Sequence, residues 1–338
     1  MIKVNDVQIR YGDFIALDNI NFEVKEGEFF TLLGPSGSGK TTMLRAIVGF
    51  LNPSKGTIEI NGKVINHIPV EDRGIGMVFQ SYALFPTMTV YDNIAFGLKI
   101  DKKDKAFIDK RVHQMGKMVD LTEEQLQKNV AALSGGQQQR VAIARALAKQ
   151  PEILAMDEPL SNLDAKLRKQ LRRELKNIQH NLKVTSLYVT HDQEEALTLS
   201  DRIAVFSNGK LEQVGTPKEI YSNPKTEFVC TFIGDSNKIP AEIVQRYLPK
   251  IYKGDSSVYY VRPEDIKTER YAGQELKENQ FICEFVSEDF YGTYINFTLK
   301  EVNSGTNIIT FEDSHIGGDF VHGDQVLATV NIDEVKIF

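Results

Sequence analysis

The stretch Gly34-Pro35-Ser36-Gly37-Ser38-Gly39-Lys40-Thr41 follows an apolar run, Phe29–Leu33, and precedes residues 41–48, where Met43, Leu44, Ile47 and Val48 recur at helical spacing. GxxxxGK(S/T) between a strand and a helix is the context expected of a phosphate-binding loop, rather than of a glycine-rich turn with no ligand. Glycines let successive backbone N–H groups turn inward at phosphates, and the helix N-terminus adds a positive dipole. Lys40 is placed to reach the β- and γ-phosphates, and the Thr41 hydroxyl to hold Mg²⁺. Gly34, Pro35, Ser36, Gly37, Ser38, Gly39, Lys40, Thr41 and Thr42 are the expected cradle for ATP with Mg²⁺.

Downstream, Ile153-Leu154-Ala155-Met156-Asp157-Glu158 is an apolar strand that ends in two acids, which puts both carboxylates at the sheet edge where the loop lies. Asp157 is expected to hold Mg²⁺ through water, and Glu158 to polarise the attacking water as general base. Leu133-Ser134-Gly135-Gly136-Gln137 adds a second device. Ser134 and Gln137 form a capping-box pattern at a helix start, and bare backbone at Gly135 and Gly136 lets an anion approach. A well-capped helix with no ligand has the same sequence, so these residues alone leave both possibilities open.

Working outward, the strand Ile153-Leu154-Ala155-Met156, the apolar run around residues 186–189 and the charged helix at 165–182 alternate as in a parallel α/β core. Thr57-Ile58-Glu59-Ile60, Asn61-Gly62 and Lys63-Val64-Ile65 form a hairpin with a favoured two-residue turn, which predicts an antiparallel patch beside it. Residues 103–150 read as a helical, charged region closed by Pro151. Beyond about residue 237 the texture becomes short alternating strands, with Ile295, Phe297 and Leu299 on one face and Tyr294, Asn296 and Thr298 on the other. Two domains are expected, 1–237 and 238–338, the second a small β-barrel.

The composition is that of a globular protein, 41% hydrophobic and 25% charged. A formal charge of -6 gives no footprint for a nucleic-acid backbone, so no nucleic-acid partner is expected. The start has no apolar signal segment and no run of about 18 apolar residues occurs, which predicts neither export nor a membrane span. Cys230 and Cys283 lack metal-ligand spacing and read as buried apolar residues in a reducing compartment.

Together these motifs resemble the ABC ATPase family over residues 1–236. The resemblance implies a P-loop cassette with a parallel core sheet, an antiparallel β patch and a helical subdomain. It also implies a homodimer paired head to tail, in which Ser134, Gly135, Gly136 and Gln137 of one copy close over ATP held by the other. Tyr11 resembles the aromatic that stacks on adenine, although it also reads as a strand core residue. Gln80 resembles the glutamine that touches Mg²⁺ and water. Ser161-Asn162-Leu163-Asp164 resembles the D-loop, with Asp164 near the nucleotide, and His191 the switch histidine at the γ-phosphate. Glu158, His191 and Gln80 are then the catalytic set, and Thr41, Gln80 and Asp157 the metal set. Histidines 67, 113, 180, 315 and 322 read as structural or surface residues.

Lys128-Asn129-Val130-Ala131-Ala132 departs from the family pattern, in which a basic residue, a proline and a polar residue usually precede the signature. A more helical approach to Ser134 is expected. Ser81-Tyr82-Ala83-Leu84-Phe85-Pro86 is more apolar than a free loop needs. In importer ATPases this region grips the membrane subunit, so two permease subunits are expected to dock near residues 80–90; packing of Leu84 and Phe85 inside the chain is the alternative. The end of the cassette and Val261-Arg262-Pro263-Glu264-Asp265 resemble importers for sugars, ferric iron and polyamines, with an appended OB-type (TOBE-like) barrel. Gly234-Asp235-Ser236-Asn237 is closest to the spermidine/putrescine branch, with ferric iron, sugar, phosphonate or another small solute as alternatives. The resemblance further implies a periplasmic or lipoprotein solute-binding protein in the complex and a peripheral place on the cytoplasmic face of the cell membrane. A non-transport ABC ATPase would carry coiled-coil inserts or a second cassette, neither of which the sequence has, and a stand-alone kinase leaves Ser134, Gln80 and His191 unexplained together.

Overall fold

Strands Ile2–Tyr11 (β1) and Phe14–Val24 (β2) pair antiparallel across the Gly12-Asp13 turn. In the computed structural model, which describes residues 1–314 and 319–338, Phe29–Leu33 (β3) follows and is buried at every position, as a parallel strand covered on both faces must be. His315 lies outside the described residues. Lys40–Val48 (α1) comes next, then the hairpin Lys55–Ile60 (β4) and Lys63–Val64 (β5), which joins β1 and β2 in the sheet β2-β1-β4-β5.

Ile75–Val78 (β6) opens the return to the main sheet. Val90–Ile100 (α2), Lys105–Met118 (α3), Glu123–Gln127 (α4) and Gly135–Ala148 (α5) make the helical subdomain. The unusual approach to the signature is indeed partly helical: α4 is followed by a single 3-10 turn, Val130–Ala132, capped by Asn129. Ile153–Asp157 (β7), Ala165–Leu182 (α6), Thr185–Thr190 (β8), Gln193–Leu199 (α7), Arg202–Ser207 (β9) and Lys210–Gly215 (β10) complete the first unit.

The main sheet runs β10-β9-β3-β8-β7-β6, parallel from β9 to β6 with β10 antiparallel at one edge. Because β8 lies between β3 and β7, the loops that leave the carboxyl ends of these three strands adjoin. Ligands in open α/β sheets collect at that edge. Phe30, Leu32, Leu44, Ile47, Ala155 and Val189 pack in one core beside the antiparallel sheet, and Phe29, Met156 and Tyr188 in another with the helical subdomain.

The chain divides into compact units Met1–Ile220 and Tyr221–Phe338, with the short helix Pro217–Ser222 (α8) spanning the division. The change in sequence texture near residue 237 falls inside the second unit. There Arg262 donates to the carbonyls of Tyr221 and Asp235, and Tyr260 donates to Glu227, so the helix Glu227–Phe232 (α9) belongs with the strands that follow. Asn237–Ile239 (β11), the helix Ala241–Tyr247 (α10) and Tyr259–Val261 (β12) lead to Ile266–Arg270 (β13), Gln280–Phe290 (β14), Tyr294–Glu301 (β15), Asn307–Asp313 (β16), Gln325–Val330 (β17) and Lys336–Ile337 (β18). The antiparallel order is β13-β17-β14-β15-β16, and the Thr268 hydroxyl on β13 donates to the Glu312 carboxylate on β16. Contact between the outer strands curls this sheet into a half-barrel of OB type. Phe297 and Leu299 of β15 are buried and Ile295 is half-buried, as the alternation predicts.

Candidate nucleotide site

The loop after β3 wraps closely because its glycines allow it. A Cβ on Gly34 would stand 2.2 Å from the carbonyl oxygen of Phe206, a backbone clash that no rotamer relieves. Gly39 has φ 103°, in the left-handed region that favours glycine, and a Cβ there would lie 2.4 Å from Leu17. The loop thereby delivers Lys40 to the start of α1, where Nζ donates to the carbonyls of Gly34 and Pro35 at 2.8 Å each. Burial lowers the Lys40 pKa, while Glu158 and Asp157 pull it back upward.

Across the loop, Thr41 Oγ1 donates to Asp157 Oδ1 at 2.8 Å. Burial raises the Asp157 pKa, opposed by that hydrogen bond and by the charges of Arg45 and Lys40. Glu158 follows with φ 43°, a left-handed backbone that costs a non-glycine residue about 1 kcal/mol or more, and its N–H donates to the Val189 carbonyl at 3.0 Å. That turn aims its carboxylate between two donors: His191 Nδ1 lies 3.2 Å from Glu158 Oε2, and Gln80 Nε2 reaches the same oxygen at 3.5 Å. Gln80 Nε2 also donates to Ser161 Oγ at 3.3 Å, and Asn162 Nδ2 to the Gln80 carbonyl at 3.0 Å. Gln80, Glu158 and His191 therefore come from three separate loops to one point.

Glu158 borders a cleft of about 500 Å³, whereas Gln80, His191 and Asp157 do not line it. Tyr11, Ser36, Gly37, Gly39, Thr41 and Thr42 line it, as do Lys40 and Glu158. Tyr11 is 48% exposed, so it is not a strand core residue. Phe14, Asn208 and Gly209 also line the cleft and were not evident from the sequence. For Phe14, which is 69% exposed and pairs with Tyr11 across the turn, the signal was two aromatics flanking Gly12-Asp13.

The residues fit a nucleotide with a divalent cation. Ser38 Oγ is buried within the loop with no hydrogen-bond partner, Lys40 satisfies itself on backbone carbonyls that a phosphate would replace, and Thr41 and Asp157 present hard oxygen ligands. No group of three or more His, Cys, Asp or Glu that could hold a metal ion occurs among the described residues, here or elsewhere, so a cation at this site would depend on the phosphates and water for its remaining ligands.

Ser134 and Gln137 form the expected capping box on α5. Neither they nor Gly135 and Gly136 line the cleft. Gly135 is exposed, whereas Gly136 is buried, and a Cβ there would press on Leu167 at 2.7 Å, so its bareness serves packing against α6 within the chain. Asp164 also stays outside the cleft, capping α6 by accepting from the Leu167 N–H at 2.9 Å. The 81–90 segment is less open than its sequence suggests. Tyr82 and Val90 are buried, Leu84 packs on the core, and the Phe85 ring lies 4.3 Å from that of Phe96, tilted by 40°. It nevertheless borders a second groove of about 860 Å³ that includes Phe79, Phe85, Phe96 and Arg145.

A family model described as ABC transporter matches residues 17–161. The spermidine/putrescine import ATP-binding protein PotA of Bacillus cereus is 43% identical over 326 residues, covering 96% of this chain and 95% of that one. The chain belongs to the ABC transporter family. It is an ATP-hydrolysing subunit of that family. The Fe(3+) ions import ATP-binding protein FbpC of Fusobacterium nucleatum is 40% identical over 345 residues, covering all of this chain and 93% of its own. Among solved ABC structures, an ATP-binding cassette in a dimeric, post-hydrolysis state bound to ADP and Pi is 35% identical, covers 64% of this chain and 99% of its own, and has a TM-score of 0.57. The cbiO1 protein of Clostridium perfringens, part of an ABC transporter complex, is 31% identical with a TM-score of 0.62, covering 74% of this chain and 96% of its own. None of the helices among the described residues is long and apolar enough to cross a membrane.

Proposed function

We propose that this chain drives a polyamine importer: two copies pair head to tail, bind ATP with Mg²⁺ between them, and hydrolyse it on the cytoplasmic face of the membrane against two permease subunits. The observation that carries the chemistry is Glu158 Oε2 held between His191 and Gln80, one residue beyond the Thr41–Asp157 pair.

Lys40 releases the Gly34 and Pro35 carbonyls and neutralises the β- and γ-phosphates, and loop N–H groups bind their oxygens. Thr41, Asp157 and Gln80 would hold Mg²⁺, which when bound draws charge from the phosphate oxygens. Glu158 Oε2 accepts the proton of the attacking water, His191 orients that carboxylate and faces the γ-phosphate, and Gln80 completes the arrangement from the loop that borders the second groove. Tyr11 stacks on the base. Ser134, Gly135, Gly136 and Gln137, with Asp164, face the nucleotide of the second copy, in keeping with their position away from the chain's own cleft. Replacing Glu158 by Gln keeps shape but removes the base. Turnover should fall by about 10²- to 10⁴-fold with ATP binding retained; turnover within a few-fold of the original would remove Glu158 from this role.

The groove beside Phe85 and Arg145 suits a permease segment, with a solute-binding protein joining through the permeases. Spermidine and putrescine as cargo rest on the Bacillus cereus relative, which matches over nearly all of both chains. The Fusobacterium nucleatum relative supports a second reading, ferric iron. ATPase stimulation of the reconstituted complex by spermidine and not by ferric iron is expected; the reverse would assign iron.

A further inference from the structure

Arg168, near the start of α6, lies outside the nucleotide cleft and turns its guanidinium toward the 161–164 turn and the loop that carries His191. Nη2 donates to the carbonyl of Leu163 at 3.1 Å, at the end of the 161–164 turn. Nη1 donates to Asp192 Oδ2 at 3.3 Å, next to His191. Nε is buried without a hydrogen bond and stands 4.0 Å from Glu195 Oε1.

The loop that carries His191 is held together on its own side. The buried Glu195 accepts from Tyr188 at 2.8 Å and from Thr190 at 2.7 Å, the Asp192 N–H donates to Thr190 Oγ1, and the Asp192 carboxylate caps α7 through the Glu195 N–H at 3.0 Å. The 161–164 turn is likewise pinned to Gln80 through Ser161 and Asn162. Contacts therefore close a ring: Glu158 to Gln80, Gln80 to the 161–164 turn, that turn to Arg168, Arg168 to Asp192, and His191 back to Glu158. Arg168 joins these two already stiff pieces directly.

We propose that Arg168 is a positioning residue for ATP hydrolysis, tying the 161–164 turn to the His191 loop at the separation that lets His191 and Gln80 flank Glu158. The inference rests on the roles assigned to Glu158 and His191 above. A lysine replaces it only in part, because a single ammonium keeps the charge but lacks the planar fork that serves two acceptors in fixed directions.

The test is steady-state ATPase of the full-length protein carrying Arg168→Met, Arg168→Lys or Asp192→Asn, with the Arg168→Met/Asp192→Asn double variant. For Arg168→Met, kcat should fall at least about fivefold while KM for ATP stays within about threefold, and Arg168→Lys should lie between it and the original. The double variant should lose little more than Arg168→Met alone, since both remove one tie. If Arg168→Met does not fold, the Lys variant carries the same kcat-against-KM comparison. An unchanged kcat in both Arg168 variants, a change confined to KM, or losses that multiply in the double variant would overturn the proposal. His191→Ala, measured alongside, separates the two levels: full activity there would fault the assignment of His191, whereas loss there with unaltered Arg168 variants would fault the positioning role alone.

Discussion

The Thr41 hydroxyl donates to the Asp157 carboxylate at 2.8 Å, joining the residue after the loop lysine to one 116 positions later, at the end of a different strand. Burial raises the pKa of this carboxylate, and under the proposed function a bound Mg²⁺ would take its charge. Asp157→Asn should therefore raise the Mg²⁺ concentration for half-maximal ATPase by about 10- to 100-fold, as expected for a group that acts on the metal through water. ATP binding without Mg²⁺ should change little. Titration of ATPase against Mg²⁺ at fixed ATP checks this, and an unaltered Mg²⁺ requirement would remove Asp157 from the metal set.

The capping box on α5 makes a stability prediction separate from catalysis. Gln137 Oε1 accepts from the Ser134 N–H at 3.0 Å, while the Ser134 side chain accepts from the Gln137 N–H at a long 3.5 Å. Ser134→Ala should cost about 1 kcal/mol or less, a fall in Tm of about 2–4 °C for a unit of this size. A fall of more than 10 °C by calorimetry would mean that Ser134 supports more of the chain's own fold than its cap.

In the second unit the buried Cys283 thiol is pushed up to about 12, by burial first and then by the nearby Glu301 charge. Its raised pKa means the folded state holds the proton more tightly than the unfolded state. That contribution to stability is present below about pH 9 and is lost as pH rises toward about 12. The stability advantage of the original protein over Cys283→Ala should shrink between pH 8 and pH 10.5. Iodoacetamide at pH 8 should label neither Cys283 nor the buried Cys230 until the chain is denatured. Rapid labelling of Cys283 in the native protein would contradict its burial.

Much of the site was legible because its chemistry is written in contiguous motifs at strand ends. Lys40, Thr41, Asp157 and Glu158 sit beside runs whose apolarity announces buried strands, and the capping box of Ser134 and Gln137 is a local pattern. What depends on distant pairing was not legible. Phe14 and Gly209 reach the cleft because β2 and the turn after β9 fold over the loop, which periodicity does not encode. Leu84 and Phe85 looked like surface residues, yet Phe96, from α2, and Arg145, from α5, close over Phe85. The second unit begins before residue 237 because Arg262, far along the chain, gathers the backbone at Tyr221 and Asp235. Only tertiary contacts of this kind reveal such boundaries.

Under the proposed function each ATP is shared between two chains, since Ser134 is absent from the cleft that Lys40 and Glu158 line in its own chain. The most direct test of this sharing is single-turnover hydrolysis by purified, differently tagged heterodimers of Glu158→Gln and Ser134→Arg chains. Each homodimer should be inactive, the first without a base and the second with a bulky cation against the γ-phosphate. In the heterodimer one site carries both lesions, while the other joins the intact Glu158 of one chain to the intact Ser134 of its partner, and that site should hydrolyse ATP. Inactivity of confirmed mixed dimers with nucleotide bound would contradict independent shared sites, and full activity of Ser134→Arg as a dilute monomer would contradict the head-to-tail arrangement itself.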